Sequence, residues 1–268
     1  MRKVKYRMPE LPEVETFKRY LDATSLHRRI TSVEVRDAYV LQGVSARELA
    51  RRLKRLRFEN SRRHGKHLFV RTDGELWLRL HFGMTGSLHY LNGVEQPSKA
   101  ARVLFHFAKN SQLAFDDQRK FGGIGLINNV DEFLRKRGVG PDALDISFSQ
   151  FKSILRTHRG AVKAILLNQK LIAGIGNLCA DEILFRVRIH PATEAGHLSE
   201  KNVDEVFRAT RYILQNAIEA KADADLMPKS WLLPHRGKGG KCPRCGRELK
   251  SSTIGGRTAW FCAHCQKK

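Results

Sequence analysis

Apolar side chains recur at Leu11, Val14, Phe17 and Leu21, a spacing of three and four that places them on one face of a helix, predicted over residues 9–22. From Ile30 to about Ile127 the period changes. ITSVEV, HLFVRT, LWLRLHF, SLHYL, RVLFHF and QLAF are short runs rich in β-branched and aromatic residues, with alternation, and Gly, Asn and Asp punctuate them. They predict strands, interrupted by one helical segment, SARELARRLKRL, at residues 45–56. Gly138, Gly140 and Pro141 then break the pattern. Beyond them FSQFKSILRTH, AVKAILLNQ, ADEILFRV and SEKNVDEVFRATRYILQNAIEA return to helical spacing. Residues 228–241 hold two prolines and several glycines and read as a linker. The expectation is an α+β chain in three parts. A mainly-β N-terminal domain covers 8–137, a helical domain covers 138–235, and a small cysteine module covers 236–268.

Charge changes this picture most. The 268 residues carry 49 Lys and Arg against 27 Asp and Glu, a formal +22. That excess is beyond what solubility needs and favours a polyanionic partner, either nucleic acid or an anionic membrane surface; the plainer alternative is a basic solvated surface. An apolar content of 41% allows real cores. No apolar run approaches the roughly 18–20 residues of a membrane span. The N-terminal MRKVKYRMPELPEVE lacks the apolar stretch of a signal peptide. We therefore expect no membrane contact and a cytoplasmic, nucleoid-associated protein.

Four of the five cysteines form two CxxC pairs near the C-terminus, Cys242/Cys245 and Cys262/Cys265. Each pair is one turn presenting two thiolates, and the intervening hairpin brings the turns together into a tetrahedral set. Four thiolates leave no open position, so the expectation is one structural Zn²⁺ per chain; adventitious or redox cysteines are the alternative. His264 lies inside the second pair and could compete as a ligand. Residues 236–268 contain nine Lys or Arg and one Glu, with Arg257 near the hairpin tip, a composition suited to phosphates. Cys179, alone in an apolar helix, reads as a packing residue.

Met8-Pro9-Glu10-Leu-Pro-Glu13 has two readings. One is a helix start, with proline at the first position and acids in the first turn. In the other, translation begins at Met8 and the methionine is removed, which leaves Pro9 with a free secondary amine beside Glu10. An α-amino group titrates near ~7.7–8, so much of it is nucleophilic at neutral pH and able to attack a sugar's anomeric carbon. The adjacent carboxyl could shuttle protons.

The chain resembles the formamidopyrimidine-DNA glycosylase / endonuclease VIII family, in its formamidopyrimidine branch. The PELPEVET start and the four-cysteine finger carry the resemblance. So do Gly65-Lys66-His67, His81-Phe-Gly-Met84-Thr-Gly-Ser-Leu (the family's HxGMxGxL), Asp117-Gln-Arg119-Lys-Phe121-Gly (its DxRxFG), and Gly174-Ile-Gly-Asn177 followed by Ala180-Asp-Glu182 (its GxGN turn). Five such matches run in order from Met8 onward. The resemblance implies a β-sandwich-like catalytic domain, a helix–two-turn–helix domain and a zinc finger. It implies a monomeric, bifunctional glycosylase and AP lyase of base excision repair, acting on double-stranded DNA that contains damaged bases or abasic sites. Pro9 would attack the sugar and release the base, and β,δ-elimination would follow. Glu10 would protonate the sugar ring oxygen, with Glu13 a supporting carboxylate. Lys66, Asn177 and Arg257 would hold phosphates, and Met84, Arg119 and Phe121 would fill the space left by the flipped base. On composition alone Lys66 is a surface lysine, Met84 and Phe121 are core residues, and Asn177 is a helix cap.

Two departures stand out. Seven residues precede Met8; if they are retained, Pro9 is an ordinary imide and a non-catalytic damaged-DNA-binding protein results. A zinc-ribbon protein binding RNA or ribosomes is a further rival, one that would need neither the Pro-Glu start nor the flipping-loop residues. The stretch over about 221–241 is short beside that of relatives that cap oxidised guanine, so formamidopyrimidines, hydantoins and oxidised pyrimidines become comparable candidate lesions.

Overall fold

The computed structural model describes residues 9–267; the expectation about residues 1–7 lies outside them. The chain divides into two compact units, residues 13–137 with Pro9, and residues 138–267 with residues 10–12. Among the described residues no helix is long and apolar enough to cross a membrane.

The first unit is a two-sheet sandwich with a helix against its core. Helix α1 (Leu11–Ser25) is followed by β1 (Ile30–Val35), α2 (Ala46–Leu53), β2 (Phe58–His64), β3 (His67–Thr72), β4 (Trp77–His81), β5 (Gly86–Asn92), β6 (Ala101–Phe107), β7 (Ser111–Asp117), β8 (Gly123–Ile127) and α3 (Val130–Arg137). One antiparallel sheet has the order β1-β6-β7-β5 and the other β2-β3-β4-β8. Alternating strand residues from both sheets meet in one core. Leu68, Val70, Leu78 and Leu80 come from the second sheet, Leu88, Val103, Phe105 and Phe115 from the first, and Val14 and Leu21 from α1. β2, β8 and α3 were not anticipated. β2 and β8 are the two edges of their sheet. The polar FENSRRH of β2 buries little along its length. In GIGLI of β8, Gly123 and Gly125 are needed because Gln42 lies on that edge, its N–H donating to the Ile124 carbonyl.

The second unit is helical. It contains α4 (Phe148–Thr157), α5 (Val162–Leu167), α6 (Asn177–Arg186) and α7 (Glu200–Glu219), then the hairpin β9 (Lys250–Ile254) and β10 (Arg257–Phe261). Ser147 and Gln150 close a capping box on α4, and Ser199 caps α7 by accepting from Asn202 N–H. The core gathers Phe151, Leu155, Ile165, Ile183, Leu184, Val206, Ile213 and Leu214, with Leu11 from the N-terminal segment.

Candidate active site

Pro9 and Glu10 are buried. Glu10 sits on the N-terminus of α6. Its Oε2 accepts from Gly176 N–H and Cys179 N–H, both at 3.0 Å, and its Oε1 accepts from Leu178 N–H at 2.7 Å. An α-helix begins with unpaired N–H groups and a positive end, and a carboxylate satisfies both. The approach explains the GxGN spelling. A Cβ on Gly176 would lie 2.1 Å from Glu10 Cδ, and one on Gly174, whose φ is +114°, would lie 2.5 Å from Leu11 Cδ1. Leu11 N–H also donates to the Gly174 carbonyl. The Pro-Glu start and the GxGN turn are thus two halves of one contact. Glu13 lies half-buried in the first turn of α1.

Asn177, next along, is the first residue of α6 and not its side-chain cap; Gly176 holds the cap position. Asn177 Nδ2 donates to the Thr258 carbonyl at 3.0 Å, and Lys163 Nζ and Arg236 Nη2 reach the same oxygen at 3.2 Å. Behind them Asp181 pairs with Lys163 at 2.6 Å and Arg236 at 2.8 Å, and accepts from Trp260 N–H. The Lys163–Asp181 pair is fully buried. Burial pushes the Asp181 carboxyl up and the Lys163 ammonium down, and each partner offsets part of the other's shift. This network seats β10 on α5 and α6, and so places Arg257, exposed at the start of β10, relative to Asn177. Gly255, at φ +57°, lets the hairpin turn approach Ala164.

The sulfurs of Cys242, Cys245, Cys262 and Cys265 lie within 4.8 Å of one another, Cys242–Cys265 at 3.9 Å and Cys245–Cys262 at 3.5 Å. These separations bracket the roughly 3.8 Å edge of a tetrahedron with Zn–S near 2.3 Å. They are too long for disulfides. The site fits one structural Zn²⁺. His264 is not part of this set, which the four sulfurs make up alone; its Nδ1 meets Arg247 Nη1 at 2.8 Å. Arg244, inside the first CxxC, donates to the Phe185 and Arg186 carbonyls at the C-terminus of α6, which ties the metal knuckle to the helix that carries Asn177. Glu182 accepts from Leu232 and Leu233 N–H, an anchor for the linker before the finger; burial pushes its carboxyl up to about 7. Cys179 is buried, as its apolar setting implied.

In the first unit Lys66 occupies the two-residue turn between β2 and β3, where Gly65 takes φ +54° and His64 faces His67. Arg63 fastens this hairpin to α1 through Glu15 at 3.0 Å. His67 and His81 lie with ring centroids 5.0 Å apart. Burial together with neighbouring positive charge pushes His67 down to about 2 and His81 to about 4, with Arg79 and Lys66 among the cations that act on His81. Neutral His81 accepts from Gly83 N–H at the start of the Met84 turn. Met84 is half-buried. Phe121 is 53% exposed with the Arg119 guanidinium over its ring, so it is not a core residue. Sequence reasoning missed Thr85, Lys163, Asp181, Arg236 and the hydrogen-bonding role of Asp117. A polar residue inside an otherwise apolar run, such as Lys163 in AVKAILL, was the available signal.

A sandwich with an exposed cation–aromatic loop, and a helical unit with a basic, four-cysteine hairpin, fit a DNA-handling class of protein. The comparisons narrow it. Residues 8–124 match the formamidopyrimidine-DNA glycosylase N-terminal domain, 138–226 its H2TH domain, and 239–268 the zinc finger found in FPG and IleRS. A formamidopyrimidine-DNA glycosylase of Carboxydothermus hydrogenoformans is 36% identical over 97% of this chain and 100% of its own; one of Pelotomaculum thermopropionicum is 33% identical over 97% and 99%. Lactococcus lactis Fpg in complex with abasic-site DNA superposes with TM-score 0.87 at 29% identity, covering 97% of this chain and 100% of that one. The same Fpg with N7-benzyl-Fapy-dG DNA gives the same values. The chain belongs to the formamidopyrimidine-DNA glycosylase family.

Proposed function

We propose that this chain is a bifunctional DNA glycosylase and AP lyase of base excision repair, acting as a monomer on oxidised bases in duplex DNA in the cytoplasm, at the nucleoid. The observation that carries the reading is the seating of Glu10: three N–H groups fix the carboxyl that follows Pro9 in the chain. The Pro9 secondary amine attacks C1′ and the base leaves with the bonding electrons; the Glu10 carboxylate takes up the proton that the amine loses and delivers it to the ring oxygen as the sugar opens to an iminium. Loss of the C2′ proton then expels the 3′ phosphate by β-elimination, and loss of the C4′ proton from the resulting unsaturated iminium expels the 5′ phosphate by δ-elimination, which leaves a gap. Lys66, Asn177 and Arg257 hold phosphates. Met84, Arg119 and Phe121 take the place of the extruded nucleotide, offsetting a stacking loss of a few kcal/mol. Glu13 supports the amine electrostatically.

The chemistry requires that the active protein begin at Pro9. An internal proline nitrogen is an amide whose lone pair is delocalised into the carbonyl. The test compares a chain initiated at Met8 with one whose full extension is verified by mass spectrometry. The first forms a borohydride-stable adduct with lesion DNA, and Pro9→Gly weakens it. Equal trapping by the verified extended chain would exclude Pro9 as nucleophile, and Lys66 would be examined next; loss of trapping with retained lesion binding would mark the extended form as a binding protein. The short linker before the finger supports a further proposal, weak excision of oxidised guanine relative to hydantoin and formamidopyrimidine lesions. A strong single-turnover preference for oxidised guanine overturns it.

A further inference from the structure

The connections β4–β5 and β7–β8 run side by side. β4 pairs with β8 in one sheet, His81 opposite Gly123, and β5 pairs with β7 in the other, Gly86 opposite Asp117. Each connection therefore leaves one sheet and enters the other at the same place. One carries Met84 and the other carries Arg119 and Phe121. Their backbones touch, since a Cβ on Gly83 would lie 2.3 Å from the Phe121 carbonyl carbon and 2.5 Å from Gly122 N. Asp117, fully buried at the end of β7, joins them. Its Oδ1 accepts from Thr85 Oγ1 at 2.5 Å and from Arg119 N–H at 3.3 Å, and its Oδ2 accepts from Gly122 N–H at 2.6 Å. Thr85, also buried, uses the same hydroxyl oxygen to accept from Arg119 N–H at 3.0 Å. One hydroxyl and one carboxylate thus satisfy amides on both sides of Phe121.

We infer that Thr85 and Asp117 are positioning residues that lock the two connections into a single wedge, so that Met84, Arg119 and Phe121 meet the duplex together. The inference rests on the reading of those three side chains as the ones that replace an extruded base. Its physical basis is preorganisation. Two independent loops would each lose conformational freedom on entering the duplex; a wedge already ordered in the free protein avoids that cost. The donor set also selects the residue types. Position 117 faces three donors, which an acceptor-only carboxylate suits and an amide does not. Position 85 must donate and accept at once, which Ser can do and the isosteric Val cannot.

The test uses the zinc-loaded chain beginning at Pro9. Thr85→Val slows single-turnover excision of a formamidopyrimidine from duplex by about tenfold, the lower end of what a hydrogen bond to a charged group contributes, and changes cleavage of a preformed abasic site by less than about twofold. Thr85→Ser restores excision. In a Met84→Ala/Phe121→Ala background the Thr85→Val penalty shrinks, because the lock then has nothing to present. Hydrogen exchange reads the lock without reference to activity: the Arg119 and Gly122 amides lose protection together in Thr85→Val and keep it in Thr85→Ser. If Met84→Ala and Phe121→Ala each slow both substrates equally, the base-replacement reading fails and the inference falls with it. If those variants are selective for excision while Thr85→Val is not, or while Thr85→Ser is as impaired as Thr85→Val, the inference alone is overturned.

Discussion

Replacing Gly176 by alanine sets two physical effects against each other, and their magnitudes decide the sign. At φ −118° and ψ −170° the backbone accepts any L-residue, so on conformational grounds alone Gly176→Ala would stabilise by about 0.4–1 kcal/mol through a less flexible unfolded chain. Packing acts the other way. The new Cβ would lie 2.1 Å from Glu10 Cδ, 2.3 Å from Cγ and 2.4 Å from Oε1, where ordinary contact begins at 3.4 Å. The carboxylate must retreat by more than an ångström from N–H groups it now meets at 2.7–3.0 Å. That takes most of these bonds beyond hydrogen-bonding reach. Each bond to a charged group contributes roughly 1.5–3 kcal/mol, so the net expectation is destabilisation of about 3 kcal/mol, or roughly 10 °C in melting temperature. Urea and thermal unfolding of the zinc-loaded chain measure it. Because the clash is with Glu10, Glu10→Ala relieves it, and the double variant costs less than the two singles added. On the proposed function, single-turnover excision falls in Gly176→Ala as well, since the carboxylate assigned to proton transfer is displaced. A Gly176→Ala protein as stable and as fast as the parent would refute the reasoning.

Cys245→Ser, or prolonged chelation, releases the metal, unfolds the finger and impairs DNA binding; full affinity in a metal-free preparation contradicts this. Arg257→Ala and Lys66→Ala each lower the log–log salt dependence of DNA binding by about one, as expected for one phosphate contact apiece, and a flat salt dependence of the parent would exclude phosphate tracking. Burial pushes Glu182 up to about 7 from an ordinary 4.5, so the stability linked to its proton is complete below 4.5 and lost as pH rises through 7, on the order of 3 kcal/mol in all; Glu182→Gln flattens that fall in denaturation series across the window. His81, pushed by burial and nearby cations down to about 4 from 6.5, has the opposite sign: its contribution is present above 6.5 and lost as pH falls through 4, and an NMR titration of its ring near 6.5 would disprove the burial argument.

What the sequence made legible follows from how each element is held. Strands buried on a core face announced themselves, as in HLFVRT and RVLFHF, because apolar residues fill the inward positions of β3 and β6. The edges β2 and β8 did not. An edge strand needs few apolar side chains, and β8 is glycine-rich because Gln42 lies against it. The metal site was legible because two turns of fixed spacing carry it entire. Phe121 could not be separated from a core aromatic by spelling alone; only its 53% exposure does that. Lys163, Asp181 and Arg236 come from three separate segments and converge on one carbonyl, a relation that no local window contains.

The motif pairs show why local patterns were nonetheless so informative. In both, a glycine marks where two distant segments touch backbone to backbone or backbone to carboxylate: Gly83 against Phe121, and Gly176 against Glu10. The glycine in one motif is therefore a constraint imposed by the other, because a side chain at either glycine would collide with the segment it touches. This divides the candidate residues by what their loss disturbs. Arg257 and Phe121 are exposed and Lys66 is half-buried in a turn, so truncating them leaves the packing in place and, on the proposed function, changes contacts with DNA. Glu10 and Asp117 are buried carboxylates that each satisfy several backbone amides, so their loss strands those amides and moves the loops they hold. A substitution series should accordingly split into variants that alter affinity at constant stability and variants that alter both. The boundary between the two groups should follow burial and hydrogen bonding, not charge.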